Sequence, residues 1–187
     1  MSPGKSGTLI IGLGNQYRRD DGVGLVVAQR LKAAAPEHAR VLEESGEGVA
    51  LMESWKDADA VILIDAVHSG AKPGALHRLD AHTQPIPTSF FHYSTHAFGV
   101  AEAIELARAL GQLPRCLIVY GIEGKTFEAG VGLSPEVERA AQKVAERVLR
   151  DLQVLGGFRP FSSGHSAAAP APGWFDSSPF GSVGSSP

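Results

Sequence analysis

Cysteine is almost absent from the 187-residue chain, which contains a single one, Cys116. One thiol excludes an internal disulfide and any zinc site built from several cysteines. Because Cys116 begins an apolar run that continues to Val119, we interpret it as a buried small hydrophobic residue, not as a catalytic thiol. A metal site in this chain would therefore have to use oxygen and nitrogen ligands.

An excess of basic charge and a long apolar run are also missing. Lys and Arg number 17 against 20 Asp and Glu, a net charge of -3, which gives no electrostatic reason to expect nucleic acid or an anionic membrane as partner. No apolar run approaches the ~20 residues that span a bilayer, and the apolar stretch near the N-terminus is too short for a signal-peptide core. We therefore expect a cytoplasmic protein.

What the chain does contain is a regular alternation of buried-strand and helical patterns. Short apolar runs predict strands at 8–11, 40–44, 60–64, 75–79 and 116–120, and apolar residues at helical spacing predict helices at 21–34, 49–55, 96–110 and 135–155. Residues 83–93, rich in Pro, Thr and Ser, are predicted to form a surface loop. This order favours an α/β fold, a three-layer α/β/α sandwich with a mostly parallel twisted sheet and 75–79 as a possible antiparallel edge.

The composition divides the chain into two parts. Residues 1–155 carry the periodic patterns and are predicted to form one domain. From 156 to 187 Gly, Ser, Pro and Ala dominate and the periodicity disappears, which is typical of a disordered tail without a catalytic role.

Polar side chains collect where the predicted strands end. In parallel sheets functional groups gather at the carboxyl ends of the strands, so these residues are expected together at that edge of the sheet, which we call the rim. The candidates are Asn15, Asp20 and Asp21 after the first strand, Glu43 and Glu44 at the end of the second and Glu47 after it, Asp65 after the third, and His96 at the start of a later helix. Two carboxylates and an imidazole without thiolates suit a divalent metal such as nickel, zinc or manganese.

Each candidate also has a purely structural interpretation. Asp20 and Asp21 precede a helix, where acids act as caps or favour the helix dipole, and we prefer that role for Asp20. Asp65 could cap a turn, and His96 could be a polar surface residue. Asn15 and residues 46–48 could serve backbone turn geometry alone. The remaining histidines that lack a spacing argument are interpreted as surface residues: His68, His77, His82 and His92.

The Gly12-Leu13-Gly14 sequence also raises the possibility of a dinucleotide site. Tyr17 stands where the third glycine of that fingerprint belongs, and the polar insertion that follows Asn15 is a poor pyrophosphate turn. We therefore disfavour this interpretation.

A longer motif resembles a known family. Residues 12–24, Gly-Leu-Gly-Asn-Gln-Tyr-Arg-Arg-Asp-Asp-Gly-Val-Gly, resemble the N-terminal signature of [NiFe]-hydrogenase maturation proteases: a Gly-Asn pair, four residues, Asp, an acid, Gly, any residue and Gly. Matches to further family segments follow in order at 45–48, 63–66, 94–99 and 132–135. The resemblance spans residues 8 to about 153.

The resemblance implies a function and a set of site residues. It implies an endopeptidase that removes a short C-terminal peptide from the nickel-loaded hydrogenase large-subunit precursor. Asp21, Asp65 and His96 fall at the family's metal-binding positions, and the resemblance assigns them metal binding and, further, catalysis. The nickel would be supplied by the substrate, with no organic cofactor. Asp21 stands where the family often has the longer Glu. The oligomeric state does not follow from the sequence.

Two alternatives stay open at this point. A non-cleaving, nickel-sensing chaperone could keep the same fold and the same three ligands. A peptidyl-tRNA hydrolase also begins with a strand and Gly-Leu-Gly-Asn, but it then needs an Arg-His-Asn segment where this chain has Arg19-Asp20-Asp21. The acidic net charge also fits poorly with an RNA-linked substrate.

Overall fold

A computed structural model describes residues 7–91 and 98–156 of the chain. Within these ranges five strands form one sheet in the order β2-β1-β3-β5-β4. The strands are β1 (Thr8–Leu13), β2 (Ala39–Glu44), β3 (Ala60–Val67), β4 (Leu76–Asp80) and β5 (Cys116–Glu123). The pairings β1–β2, β1–β3 and β3–β5 are parallel, and β4 lies antiparallel to β5 at one edge. The predicted mostly parallel sheet and its antiparallel edge are confirmed.

Helices cover both faces of this sheet. They are α1 (Val23–Ala34), α2 (Gly48–Trp55), α3 (Val100–Ala109) and α4 (Pro135–Gly156). One apolar cluster includes residues of α1 and α4, and a second includes residues of α2 and α3. The three-layer α/β/α architecture predicted from the alternation is therefore confirmed. No helix in the described ranges combines the length and the apolar content needed to cross a bilayer.

Strand residues alternate between the two clusters. In β1, Ile10 belongs to the cluster of α1 and α4, whereas Leu9 and Ile11 belong to that of α2 and α3. In β3, Ile62 likewise belongs to the cluster of α1 and α4, whereas Val61 belongs to that of α2 and α3. Because both faces are covered, these strands read as continuous apolar runs, which is the pattern that identified them in the sequence.

Two central strands extend further than the sequence indicated. The sequence predicts a strand that ends at Ile64, directly before Asp65, but β3 continues to Val67, and Asp65 pairs with Gly121 of β5. β5 likewise continues past Tyr120 to Glu123. The physical reason is that each strand supplies the other with hydrogen-bond partners, so a polar side chain at the rim does not stop the pairing. Asp65 is therefore held inside a strand and does not cap a turn.

The helix starts and one loop also differ from the prediction. Residues Arg19–Gly22 form a short 3-10 helix, so α1 begins at Val23 and not at 21. The α3 helix begins at Val100, after the segment 92–97 that lies outside the described residues. The predicted surface loop 83–93 contains a second 3-10 helix, Thr88–Phe91, and the buried side chain of Ile86.

Two smaller predictions need correction. Cys116 packs against the apolar cluster of α1 and α4 but remains partly exposed, because it is the first residue of β5. His77 is only partly exposed, whereas His68 and His82 are exposed as expected. His92 and the tail from 157 onward lie outside the described residues, so the prediction of a disordered tail stays a prediction.

A polar network joins the edge strand to α4. The buried Tyr120 hydroxyl donates a hydrogen bond of 2.8 Å to Asp151, and the Arg78 guanidinium donates to the same carboxylate at 3.1 and 3.2 Å. Burial, followed by the negative charge of Asp151, raises the pKa of Tyr120 to about 12. The folded protein therefore favours the neutral phenol.

We expect Tyr120→Phe to lower the free energy of unfolding by about 1–2 kcal/mol at pH 7, since it removes a hydrogen bond to a charged acceptor. A raised folded pKa means that the stability contributed by the neutral phenol is lost as pH rises from its ordinary value of about 10 toward about 12. Denaturant titrations at pH 7 and across pH 9–12 measure both effects. A variant that loses as much stability as the wild type over pH 10–12 would contradict the assignment.

Candidate metal-binding site

Two of the three predicted ligands lie at the carboxyl end of the sheet. Asp21 belongs to the 3-10 helix that follows β1, and Asp65 lies near the end of the neighbouring strand β3. The negative charge of Asp21 raises the pKa of Asp65, so the two carboxylates are close enough to repel each other. Asp65 follows Val61 and Leu63 in the strand alternation, which puts it on the face covered by α2 and α3.

The surroundings raise the pKa of both carboxyl groups. Burial is the largest cause of the raised pKa of Asp21, and the charge of Arg18 and a hydrogen bond from Asn15 oppose it. Burial is also the main reason that the pKa of Asp65 lies well above its ordinary value, followed by the Asp21 charge. The Ala66 N–H, at 2.8 Å from Asp65 Oδ1, opposes the shift. A bound divalent cation would reverse this balance, because it favours the ionised form of both groups.

The third predicted ligand, His96, lies outside the described residues, so its place relative to the two carboxylates stays a prediction. Two residues further on, Phe98 accepts a hydrogen bond of 3.0 Å from the Gly48 N–H at the start of α2. In residues 7–91 and 98–156, no group of three His, Cys, Asp or Glu side chains forms a metal cluster. The described donors fit an oxygen-ligated cation that takes further ligands from elsewhere.

The acids at the end of β2 and just beyond it have separate roles. Glu43 pairs with Lys32 at 2.6 Å, and Glu47 accepts hydrogen bonds from the Val49 and Ala50 N–H groups and so caps α2. Glu44 accepts a bond from the Ser54 hydroxyl through Oε1, whereas its buried Oε2 has no hydrogen-bond partner among the described residues. Burial raises the pKa of Glu44. The sequence grouped these acids together and contained no signal that distinguishes Glu44 from the others.

Asp20 has a structural role, but a different one from the predicted cap of α1. Gly22, not Asp20, occupies the N-cap position of α1. The Asp20 side chain is fully buried and accepts hydrogen bonds from Lys125, Thr126 and Ser134. It therefore binds the β5–α4 loop (residues 124–134), more than 100 positions along the chain. Local sequence patterns carry no signal for such a contact.

The backbone of the turn after β1 excludes the dinucleotide interpretation. A pyrophosphate site needs free backbone N–H groups that point at the phosphates. Here the N–H groups of Gly14, Asn15 and residues 17–21 all donate to oxygens of the protein. Asn15 takes part in this arrangement, because its Oδ1 accepts a bond of 2.9 Å from the Tyr17 N–H. The turn-geometry role predicted as one option for Asn15 is therefore confirmed.

A group of Ser69, His77 and Glu123 resembles a nucleophilic triad in composition only. In a triad the imidazole bridges the hydroxyl and the acid through its two different ring nitrogens. Here His77 Nε2 lies 3.4 Å from both Ser69 Oγ and Glu123 Oε2, and the Ser69 hydroxyl donates directly to Glu123 at 2.8 Å. Glu123 is buried and also accepts the Ser69 and Gly70 N–H groups. The group therefore fixes a turn and does not activate a nucleophile.

Comparison with known proteins gives one consistent result. The sequence model described as hydrogenase maturation protease matches residues 25–151, a range that contains Asp65 and begins after Asp21. A hydrogenase 2 maturation protease of Escherichia coli is 27% identical over 79% of this chain and 92% of its own length. A putative hydrogenase maturation protease of Methanocaldococcus jannaschii is 30% identical over 80% of this chain and 98% of its own length.

Solved structures agree with this similarity. An endopeptidase from Escherichia coli has a TM-score of 0.70 at 27% identity, covering 80% of this chain and 94% of its own. A hydrogenase maturating endopeptidase from the same organism has a TM-score of 0.66 over the same shares, and its 24% identity supports the fold alone.

Proposed function

Because the chain belongs to the hydrogenase maturation protease family and is a hydrolase of this endopeptidase type, we propose that it removes a short C-terminal peptide from the nickel-loaded large-subunit precursor of an [NiFe]-hydrogenase. Asp21, Asp65 and His96 recognise the nickel that the precursor carries. The metal is thus part of the substrate, and no organic cofactor takes part.

The observation that carries this proposal is the pair of carboxylates on neighbouring elements of one rim. Burial raises the pKa of Asp21 and Asp65, and the charge of Asp21 adds to the shift at Asp65. Without a cation the pair is unfavourable in its doubly ionised form. A precursor that carries Ni²⁺ offsets the repulsion, whereas a nickel-free precursor leaves it in place. This difference gives the protease a physical means to distinguish the two.

The side chains contribute recognition and geometry in distinct ways. Asp21 and Asp65 offer carboxylate oxygens from two rigid elements, and His96 adds an imidazole nitrogen, a donor set that nickel accepts. An ion bound there would supply a positive charge able to polarise a carbonyl oxygen of the precursor. The group of Ser69, His77 and Glu123 offers no activated serine as an alternative, since the Ser69 hydroxyl donates to Glu123.

The surface beside the carboxylates suits a protein substrate. The loop after β1 and the β5–α4 loop are joined by hydrogen bonds, including one of 2.8 Å from the Gly130 N–H to the Tyr17 carbonyl. Each loop exposes a large apolar side chain, with Tyr17 65% and Val131 70% exposed. We propose that these two side chains contribute to the surface that receives the precursor.

A cleavage assay tests the proposal. The purified protein is mixed with nickel-loaded and nickel-free large-subunit precursor, and trimming is followed by mass spectrometry. We expect trimming of the loaded precursor alone, lost in Asp21→Ala, Asp65→Ala and His96→Ala. Binding of the loaded precursor without any cleavage would support the alternative of a nickel-sensing chaperone. A protein that neither binds nor trims any cognate precursor would contradict the proposal.

A further inference from the structure

We infer that Asp20 is a positioning residue, which holds its neighbour Asp21 in place by binding the β5–α4 loop; this inference rests on the proposed role of Asp21. Asp20 is fully buried, and its side chain accepts four hydrogen bonds from that loop. Oδ2 accepts the Lys125 N–H at 2.9 Å, the Thr126 N–H at 3.0 Å and the Ser134 hydroxyl at 3.0 Å. Oδ1 accepts the Ser134 N–H at 2.7 Å.

The chemistry of this contact requires a carboxylate. Three of the four donors are backbone N–H groups, which cannot reverse their role. An amide side chain would have to turn its NH₂ group toward at least one of them, because both oxygens of Asp20 already face backbone donors. Ser134 directly precedes the first residue of α4, so the carboxylate also lies at the positive end of a 22-residue helix.

Backbone hydrogen bonds to the same loop connect the contact of Asp20 with the position of Asp21. The Asp20 N–H donates to the Thr126 carbonyl at 3.1 Å, and the Arg19 N–H donates to the Gly130 carbonyl at 3.0 Å. Arg19 has a φ of 49°, in the left-handed region that side chains other than glycine rarely adopt. The surrounding contacts must hold this conformation, and Asp20 contributes four side-chain hydrogen bonds to them. Asp21, the next residue in the same 3-10 helix, depends on the same contacts for its position.

Three variants separate positioning from general stability. Asp20→Asn disrupts the contact, and Ser134→Ala removes one of its four hydrogen bonds while leaving the backbone bonds in place. Tyr120→Phe is the matched control, because it also removes a buried hydrogen bond to a carboxylate, that of Asp151, at a site apart from the 3-10 helix. All comparisons are made at a temperature at which each variant is fully folded.

The experiment combines two readouts that do not depend on activity with one that does. Amide hydrogen exchange by NMR is measured at residues 19–21, Ni²⁺ affinity by equilibrium dialysis, and kcat/KM with nickel-loaded precursor. For Asp20→Asn we expect faster amide exchange at residues 19–21. We also expect Ni²⁺ affinity and kcat/KM to fall by roughly tenfold or more, the range seen when a group supporting a metal ligand is removed. For Ser134→Ala, which loses one of the four hydrogen bonds, we expect changes of roughly threefold in the same direction, the size expected for a single hydrogen bond, and for Tyr120→Phe none.

The outcomes distinguish this inference from the proposed function. Changes in Asp20→Asn and Ser134→Ala that match those in Tyr120→Phe would overturn the positioning role, even if the wild type trims the precursor. If Asp20→Asn does not fold, the hydrogen exchange and Ni²⁺ affinity of Ser134→Ala alone decide whether Asp20 has the positioning role. If the wild type neither binds Ni²⁺ nor trims the precursor, the proposed function fails, while hydrogen exchange at residues 19–21 still decides whether Asp20 holds Asp21.

Discussion

Replacing Asp65 by Asn is expected to reduce cleavage of the nickel-loaded precursor at least about 100-fold without lowering the stability of the protein. Even groups that only support a metal ligand cost 10–100-fold when they are removed, so the loss of a direct ligand should lie at or beyond the upper end of that range. Steady-state kcat/KM with the loaded precursor and the midpoint of urea unfolding at pH 7 measure the two effects.

The expected stability follows from the sign of the pKa shift. The pKa of Asp65 in the folded protein lies well above its ordinary value, mainly because of burial. The folded state then binds the proton more tightly than the unfolded state, so stability falls as pH rises from the ordinary value through the folded pKa. At pH 7 the ionised form is thus unfavourable in the fold. Asparagine carries no charge at any pH and removes this cost.

Glu43→Gln is the matched control for Asp65→Asn. Glu43 is also an acid at the end of a parallel strand, but it pairs with Lys32, and that hydrogen bond is the main cause of its lowered pKa. We expect its replacement to leave kcat/KM within about twofold and to cost at most about 0.5 kcal/mol, as for an exposed ion pair. Equal losses of activity in the two variants would show that cleavage depends on negative charge at the rim in general and not on Asp65 in particular. A clear loss of stability in Asp65→Asn would contradict the electrostatic argument.

Gly24→Ala is expected to destabilise the protein by about 3 kcal/mol or more, although alanine favours helices over glycine by about 1 kcal/mol. A Cβ atom on Gly24 would lie 2.2 Å from the Ile64 carbonyl oxygen and 2.3 Å from that of Leu13. Both are backbone atoms of central strands, so neither can move aside without breaking sheet hydrogen bonds. The first turn of α1 would therefore have to move away from the sheet. Denaturant unfolding and the yield of folded protein measure the effect.

Gly70→Ala serves as the control for this substitution. Gly70 has a φ of +86°, but among the described residues no atom beyond Gly70 and its two chain neighbours lies within 4 Å of the position that its Cβ would take. The substitution should therefore cost only the backbone strain of about 1–2 kcal/mol. If Gly24→Ala were no more destabilising than Gly70→Ala, the close approach of α1 to β1 and β3 would not matter energetically.

The fold was predictable because its pattern is local. Both faces of the sheet are covered, so the central strands are continuous apolar runs, and helical spacing of Val23, Val27 and Leu31 marks α1. The ends of elements were less predictable, because they depend on partners distant in the sequence. β3 continues beyond Asp65 since β5 pairs with it as far as Val67.

The site was predictable in part. The rule that groups gather at the carboxyl ends of parallel strands, together with the family resemblance, selected Asp21 and Asp65, and the structure places both there. His96 lies outside the described residues and stays a prediction. The partners of Asp20 could not be predicted, because they lie on a loop from a different strand. The partnerless Oε2 of Glu44 likewise depends on three-dimensional packing.

The sheet order also constrains when the carboxylate pair can form during synthesis. Asp21 follows β1 and Asp65 lies in β3, and these two strands pair although about 50 residues separate them, from Thr8↔Ala60 to Gly12↔Ile64. Closing such a loop is an entropic cost that must be met before the pairing stabilises the chain. The β5–α4 loop that binds Asp20 leaves the ribosome later still. A nascent chain therefore cannot complete the hydrogen bonds of Asp20, next to Asp21, until the β5–α4 loop in its C-terminal half has been made.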